Sequence, residues 1–298
     1  MEERLKNRSD EPIFQSQGLS RSASNLDGSH RRIRLREILL ACLSAERFDM
    51  EVRVNHSDII SKFQKNAAEL GITIDDRMLS SFEIYYKNLI EWNAVMNLTA
   101  ITEEKDVYEK HFLDSLTILK IVSRETLEKG CTILDMGTGA GFPGLPIAIA
   151  FPETKVILMD SLNKRIRFLE DMIEKLGLTN VKAVHARAEE LARNKGYREK
   201  SDICCSRAVA NLATLSEYCL PFVKIGGSFI SYKTEQVQEE IDQSRKAVRI
   251  LGGMDPETVF FTLPGTEYKR SLVKIGKVSP TPAKYPRKAG TPSKEPII

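Results

Sequence analysis

Two carboxylates, a run of glycines and one arginine are the residues whose types and spacing could do chemistry in this chain. Residues 131–144 read CTILDMGTGAGFPG. The apolar pair Ile133 and Leu134 leads into Asp135, then Gly137, Gly139 and Gly141 alternate, and Pro143 stands where a helix would begin. Glycines let a backbone turn sharply and come close to a ligand, and proline suits the first turn of a helix. Strand, glycine loop and helix start together make a nucleotide or nucleoside cradle.

Spacing leaves two occupants open. Gly139, Gly141 and Gly144 match G-x-G-x-x-G, and Asp160 ends a second apolar strand, KVILMD, 21 residues beyond Gly139. A ribose-binding carboxylate belongs there, and the pattern suits an NAD-dependent oxidoreductase. Asp135, two residues before the first glycine, favours the other occupant. A carboxylate there would repel a pyrophosphate but suits the cationic amino acid end of S-adenosylmethionine. The chain also lacks an obvious His/Lys/Tyr constellation for hydride transfer. A non-catalytic ribosome-binding factor with a vestigial pocket is a third reading, and the intact glycines argue against it.

Three further segments belong to the same cradle if the sheet is parallel, because ligands then bind outside the carboxyl ends of the strands. After the third apolar run the chain reads HARAEEL, placing Ala188 and Glu189 toward an adenine. The fourth run ends CCSRAVANL, with Arg207 where an acidic or amide residue would accept a proton or hydrogen bond from an exocyclic amine. A guanidinium cannot act as a base at neutral pH. The attacking atom should therefore need no proton removed, and guanine N7 has a free lone pair. Catalysis would then rest on alignment, exclusion of water and fixed dipoles. Following Asp160, Lys164 and Arg165 lie on the polar side of a helix, read as a solvated face or as phosphate contacts.

The elements that position these residues follow from periodicity. Short apolar runs near 131–136, 155–160, 181–185, 202–207 and 227–233 alternate with amphipathic helices, which implies an α/β fold with a mainly parallel sheet. Leu162, Ile166, Leu169, Ile173 and Leu176 give one helical stripe, and a helix is expected over roughly 235–250. VFFTL and SLVKIG, joined by a short connection, suit an antiparallel pair closing the sheet. Before the glycine loop, Leu79, Phe82, Tyr86 and Leu89 repeat at helical spacing, and Thr102 followed by Glu103 and Glu104 reads as a helix start. Four segments are expected: a disordered extension or mis-assigned start over 1–49, helices over 50–125, the catalytic domain over 126–278, and an arm over 279–298. Within the first, a short helix through Leu35 and Cys42 is conceivable, and Met50 is a candidate start.

The five cysteines show no C-x-x-C spacing and the four histidines are dispersed, so neither a disulfide framework nor a metal site is expected. With no apolar run near the roughly 18 residues of a membrane helix, a cytoplasmic protein is expected. The net charge of +3 is uneven. Residues 264–298 hold eight Lys/Arg against two Glu, and five of the twelve prolines follow residue 279. Such a segment is either a solvated tail or an arm that neutralises phosphates.

Taken in order, YYKNLIEWNAVMNLTAIT, HFLDSL, GTGAGFPGLPIAI, DSLNKRIRFLE, ARAEEL, SRAVANL and YPRKAGTPSKEPI resemble the RsmG (GidB) family from about residue 57 to the end. The resemblance implies a seven-stranded Rossmann-like class I methyltransferase fold with a small N-terminal helical subdomain. It also implies transfer of a methyl group from S-adenosylmethionine to guanine N7 in the decoding-region loop of bacterial 16S rRNA, with the small ribosomal subunit or its precursor as partner. Carried over by position, the cofactor contacts fall on Gly137, Phe142, Ala188, Glu189 and Arg207. Gly139 and Asp160 join them from the loop and strand-end positions, and Arg207 borders the methyl-transfer site. Lys164, Arg165, Lys233 and Arg287 are the candidate RNA contacts.

Overall fold

The computed structural model describes residues 55–298, and Ser57–Ile298 forms one compact unit. The expectations for residues 1–49 lie outside the described residues. A helix over 55–69 (α1) leads to α2 (Asp76–Met96), whose start is fixed by Asp75 accepting the Met78 N–H at 2.7 Å. Asn97, in the left-handed region at φ 50°, ends it. The buried residues of α2 are Phe82, Tyr85 and Leu89, spaced three and four apart as an amphipathic helix requires.

The next helical stretch changes pitch twice. It runs as α3 (Glu104–Val107), a π-helical segment (Tyr108–Leu113), α4 (Asp114–Leu116) and a 3-10 turn (Thr117–Lys120). Its N-cap is Glu103, without a side-chain cap, so Thr102 does not start it. Wide π turns are frequent at functional sites, and this one carries His111. Tyr108 and Phe112 face inward there, making edge contacts with Phe63 at 5.2 and 6.4 Å. Each such aromatic pair adds about 0.5–1.5 kcal/mol beyond its buried area.

After α5 (Arg124–Glu128) come β1 (Thr132–Met136), α6 (Gly144–Ala150), β2 (Lys155–Asp160) and α7 (Asn163–Lys175). Then follow β3 (Val181–His185), α8 (Ala188–Leu191), β4 (Ser201–Arg207) and α9 (Leu212–Cys219). The chain closes with β5 (Val223–Thr234), α10 (Gln238–Ile250), β6 (Glu257–Thr262), β7 (Lys269–Gly276) and α11 (Thr291–Lys294). The seven strands lie in the order β3-β2-β1-β4-β5-β7-β6. The first five are parallel, and β7 runs antiparallel between β5 and β6. This is the seven-stranded Rossmann-like sheet. Strand β5 begins at Val223, earlier than its apolar run, because Val223 pairs with Ser201 before a bulge.

The strand order reverses at β1, which pairs with β2 on one side and β4 on the other. Chains leaving the carboxyl ends of β1 and β4 diverge there, and that crevice is where open α/β sheets bind ligands. One face of the sheet shares a core with α1, α2, α6 and α7, the other with α8, α9 and α10. Gly144, first residue of α6, is fully enclosed: a Cβ there would fall on Leu158 and sit 2.9 Å from Asp135 Oδ2. Gly144→Ala should lower stability by about 1–3 kcal/mol, the usual cost of overpacking; an unchanged urea midpoint would refute this close fit.

Candidate active site

Loop 137–143 joins β1 to α6 and owes its path to a buried carboxylate. Asp135 Oδ2 accepts the Thr138 hydroxyl at 2.6 Å and the Gly144 N–H at 2.9 Å. Burial raises the Asp135 pKa to about 6, against the lowering effect of those two hydrogen bonds. Asp135 does not line the cavity outside the loop. It therefore does not meet a ligand as its position in the motif suggests; it shapes the loop that does.

The three loop glycines take φ of 70°, 63° and 96°, in the region L side chains avoid. At Gly137 a Cβ would stand 2.8 Å from Val209, and at Gly141 2.7 Å from the Tyr85 hydroxyl. At Gly139 it would meet nothing within 4 Å, because this glycine opens onto the cavity. The Gly137 and Thr138 N–H groups donate to Met159 O at the end of β2. The Tyr85 hydroxyl donates to Ala140 O, tying α2 to the loop.

The cavity holds about 530 Å³, and Gly137, Gly139, Phe142, Asp160, Ala188, Glu189 and Arg207 all line it. Asp160 is nearly inaccessible. Its Oδ2 accepts from Gly139 N at 3.0 Å and Arg165 at 3.1 Å, and its Oδ1 from Leu162 N at 2.9 Å. Carboxylate oxygens hold about four lone-pair sites, so capacity for a hydroxyl donor remains. Glu189 Oε1 accepts the Gly290 N–H at 2.9 Å. Tyr218, beside Glu189, has its phenol pushed up to about 12 by burial and then by that carboxylate.

At the other end Phe142 lies between two rings. Tyr85 stacks on it at 5.3 Å and His111 at 4.4 Å. The Arg207 guanidinium sits 5.1 Å from the Phe142 centroid. Arg207 donates to Asp114 Oδ2 at 2.9 Å, to Lys110 O in the π turn at 3.1 Å, and to His111 Nδ1 at 3.0 Å. Arginine has no acceptor, so His111 Nδ1 offers its lone pair and the ring proton sits on Nε2, 2.9 Å from Thr99 Oγ1. Burial, then the Arg207 charge, pushes the His111 pKa down to about 3, and the ring is neutral. Ala208, next along, takes φ 56°. Such a conformation costs about 1–3 kcal/mol and is concentrated at functional sites.

His111, Arg207 and Ala208 also line a second cavity of about 400 Å³. Lys110, Lys233 and Arg270 border it, and Tyr232 and Phe261 supply apolar wall. Arg270 Nε donates to Asp114 Oδ1 at 2.9 Å, so this carboxylate holds two guanidiniums.

The RNA candidates separate. Lys233 borders the second cavity, with its amine on Glu240 at 2.6 Å and Ala210 O at 2.9 Å. Arg165 borders the first through its ion pair with Asp160. Lys164 is outside both and donates to Met96 O. Arg287 turns inward, where Nε and a terminal N–H grip the buried Glu217 at 3.0 and 2.7 Å. The arm thus packs on α9 rather than trailing in solvent. Sequence reasoning missed His111, Tyr218, Val209 and Gly290. His111 stood within HFLDSL, Val209 within SRAVANL and Gly290 within YPRKAGTPSKEPI, a usable signal in each case; Tyr218 had none, because only the fold brings it to the cavity.

Neutral buried His111 makes a signed prediction. The unfolded chain binds a proton near pH 6.5 and the folded ring only near pH 3. Stability from this residue is therefore lost as pH falls through that window. The stability advantage of wild type over His111→Gln should shrink between about pH 7 and pH 4; a constant difference in urea melts would refute the neutral assignment.

The profile of the GidB family, rRNA small subunit methyltransferase G, matches residues 78–272. The ribosomal RNA small subunit methyltransferase G of Lachnoclostridium phytofermentans is 53% identical over 238 residues, 80% of this chain and 97% of its own. That of Alkaliphilus metalliredigens is 51% identical over 229 residues, 77% and 95% of the two chains. A solved SAM-dependent O-methyltransferase of Thermotoga maritima is 17% identical, with a TM-score of 0.43, covering 64% of this chain and 71% of that one. The chain belongs to the GidB family of rRNA small subunit methyltransferases.

Proposed function

We propose that this chain transfers the methyl group of S-adenosylmethionine to N7 of one guanine in the decoding-region loop of 16S rRNA, within the small ribosomal subunit or its precursor. The residues fit this donor. Gly139 leaves open space where a side chain would stand, and the cavity volume falls in the range of about 300–1,000 Å³ of small-molecule sites. The α6 N-terminus, where a dinucleotide pyrophosphate would bind, is already filled by Asp135 Oδ2. That observation disfavours the NAD reading. S-adenosylmethionine, when bound, supplies an electrophilic methyl on a sulfonium centre.

One observation carries the choice of acceptor: among the described residues, the partition between the two cavities holds no free base. Both His111 nitrogens are committed, to Arg207 and to Thr99. Both Asp114 oxygens hold guanidiniums. An acceptor at this partition must bring its own lone pair and have no proton to lose. Guanine N7 meets both conditions; an exocyclic amine or a ribose hydroxyl does not. The chain then works by position. The loop and Asp160 hold the donor side, Phe142 and His111 exclude water, and the second cavity receives a base presented or flipped from structured RNA. Lys110, Lys233 and Arg270 at its border suit the flanking phosphates.

The test uses purified chain, methyl-labelled S-adenosylmethionine, and small subunits from a strain deleted for the gene. Borohydride–aniline cleavage, selective for N7-methylguanine, should map the label to a single guanine in the decoding-region loop. With no base to titrate, the rate should show no basic limb between about pH 6 and 9. Label resistant to the cleavage, or a unit-slope rise with pH, would overturn the assignment.

A further inference from the structure

We infer that the C-terminal arm is a wall of the methyl-donor cavity, and that Arg287 is a positioning residue for donor binding, acting through Glu217 and Gly290 on Glu189. The inference rests on the S-adenosylmethionine reading above. It gives the basic, proline-rich tail a role other than contact with RNA.

Two anchors fix the course of the arm. The first follows β7. Lys277 is buried, and its amine donates to Leu220 O at 2.8 Å and to the Thr281 hydroxyl, with Glu199 at 3.4 Å. Glu199 Oε1 accepts the Thr281 N–H at 2.7 Å, and Arg198 donates to the carbonyls of Thr281 and Tyr285 at 2.7 and 3.0 Å. The arm is thereby held beside the segment after α8. The second anchor lies on α9. Glu217, 1% exposed, accepts the Arg287 backbone N–H at 2.7 Å as well as the guanidinium. Arg287 also donates to Glu295 O at 2.7 Å, and Thr214 donates to Pro292 O at 3.1 Å. The guanidinium thus clamps the turn that follows it from both sides.

Gly290 lies in that turn, at φ 81°. It lines the donor cavity and gives its N–H to Glu189 Oε1 at 2.9 Å. Glu189 is tethered in this way between Tyr218 on α9 and the arm. A carboxylate so tethered presents its remaining lone pairs to the cavity in one orientation, and hydrogen bonds to a charged group are among the stronger ones. The arm therefore sets the geometry of the group facing the adenine side, although it lies about a hundred residues further along the chain.

Truncation after Pro286 removes Arg287 and Gly290 but keeps the Lys277, Glu199 and Thr281 anchor. Glu217 would be left buried and unpaired, so the truncation is made in Glu217→Gln, with the full-length Glu217→Gln chain as reference. Titration calorimetry with S-adenosylhomocysteine should show at least about tenfold weaker binding for the truncated chain than for wild type, with the full-length Glu217→Gln chain, which keeps the arm but loses the ion pair, between the two. In turnover, the KM for S-adenosylmethionine should rise while the KM for the ribosomal subunit stays unchanged. Should the truncated chain fail to fold, three full-length variants decide. Gly290→Ala, where a Cβ meets nothing within 4 Å but the backbone is strained, should weaken binding several-fold. Arg287→Lys should bind more tightly than Arg287→Ala. Equal affinity across these variants, or a rise confined to the KM for RNA, overturns the inference. Absence of binding to the wild-type chain overturns the S-adenosylmethionine reading itself.

Discussion

The Asp135 carboxylate accepts hydrogen bonds from residues three and nine positions further along the chain, and those two bonds set the course of everything between them. The Thr138 hydroxyl and the Gly144 amide fold loop 137–143 back over the end of β1. This lets Gly139 open outward while Gly144 stays packed against Leu158. A buried carboxylate is costly, and the rise of its pKa to about 6 expresses that cost. The folded state binds more protons than the unfolded chain between pH 3.8 and about 6, so this residue lowers stability as pH climbs through that window. His111 has the opposite sign over much of the same range, because its folded pKa is depressed. The two slopes oppose each other where their windows overlap.

A second constraint is electrostatic and sits where the two cavities meet. Arg207 brings a positive charge to a site read as receiving a cationic donor, which by itself would be unfavourable. Asp114 offsets this, holding Arg207 on one oxygen and Arg270 on the other. A protonated His111 would add a further charge, and the nearby guanidinium helps prevent it. The same arrangement that controls charge also commits every basic atom at the partition. Charge balance and the commitment of these His111 and Asp114 atoms thus have one structural origin.

The sequence revealed most of the fold because its signals were local: glycine spacing, strand-end acids and helical stripes all lie within short windows. Asp160 and the loop glycines stand where those signals put them. Asp135 was located correctly but read for the wrong side of its strand, since a spacing rule says which residue precedes a glycine and not where its side chain turns. Arg287 shows the opposite limit. Composition marked it as one cation in a basic tail, while its partner Glu217 lies 70 residues earlier, on α9. Pairing across that distance leaves no mark in either local pattern. Tyr218 was hidden for the same reason.

Arm and loop together show how the cavity draws residues from so many parts of the chain. β1 and β4 diverge to open the crevice, and the segment after β3, Ala186 to Glu189, lines one side of it. There α8 is only four residues long, too short to hold Glu189 in place by its own packing. The arm supplies what α8 lacks. It returns across α9, pinned by the ion pair of Arg287 with the buried Glu217, and offers a backbone N–H from a glycine at positive φ to the Glu189 carboxylate. A backbone donor fixed from outside the helix has fewer free torsions than a side chain would, so less entropy is lost in holding Glu189. On this view the turn that carries Gly290 directs one amide to Glu189, and through that residue the tail contributes to the cavity that the glycine loop lines.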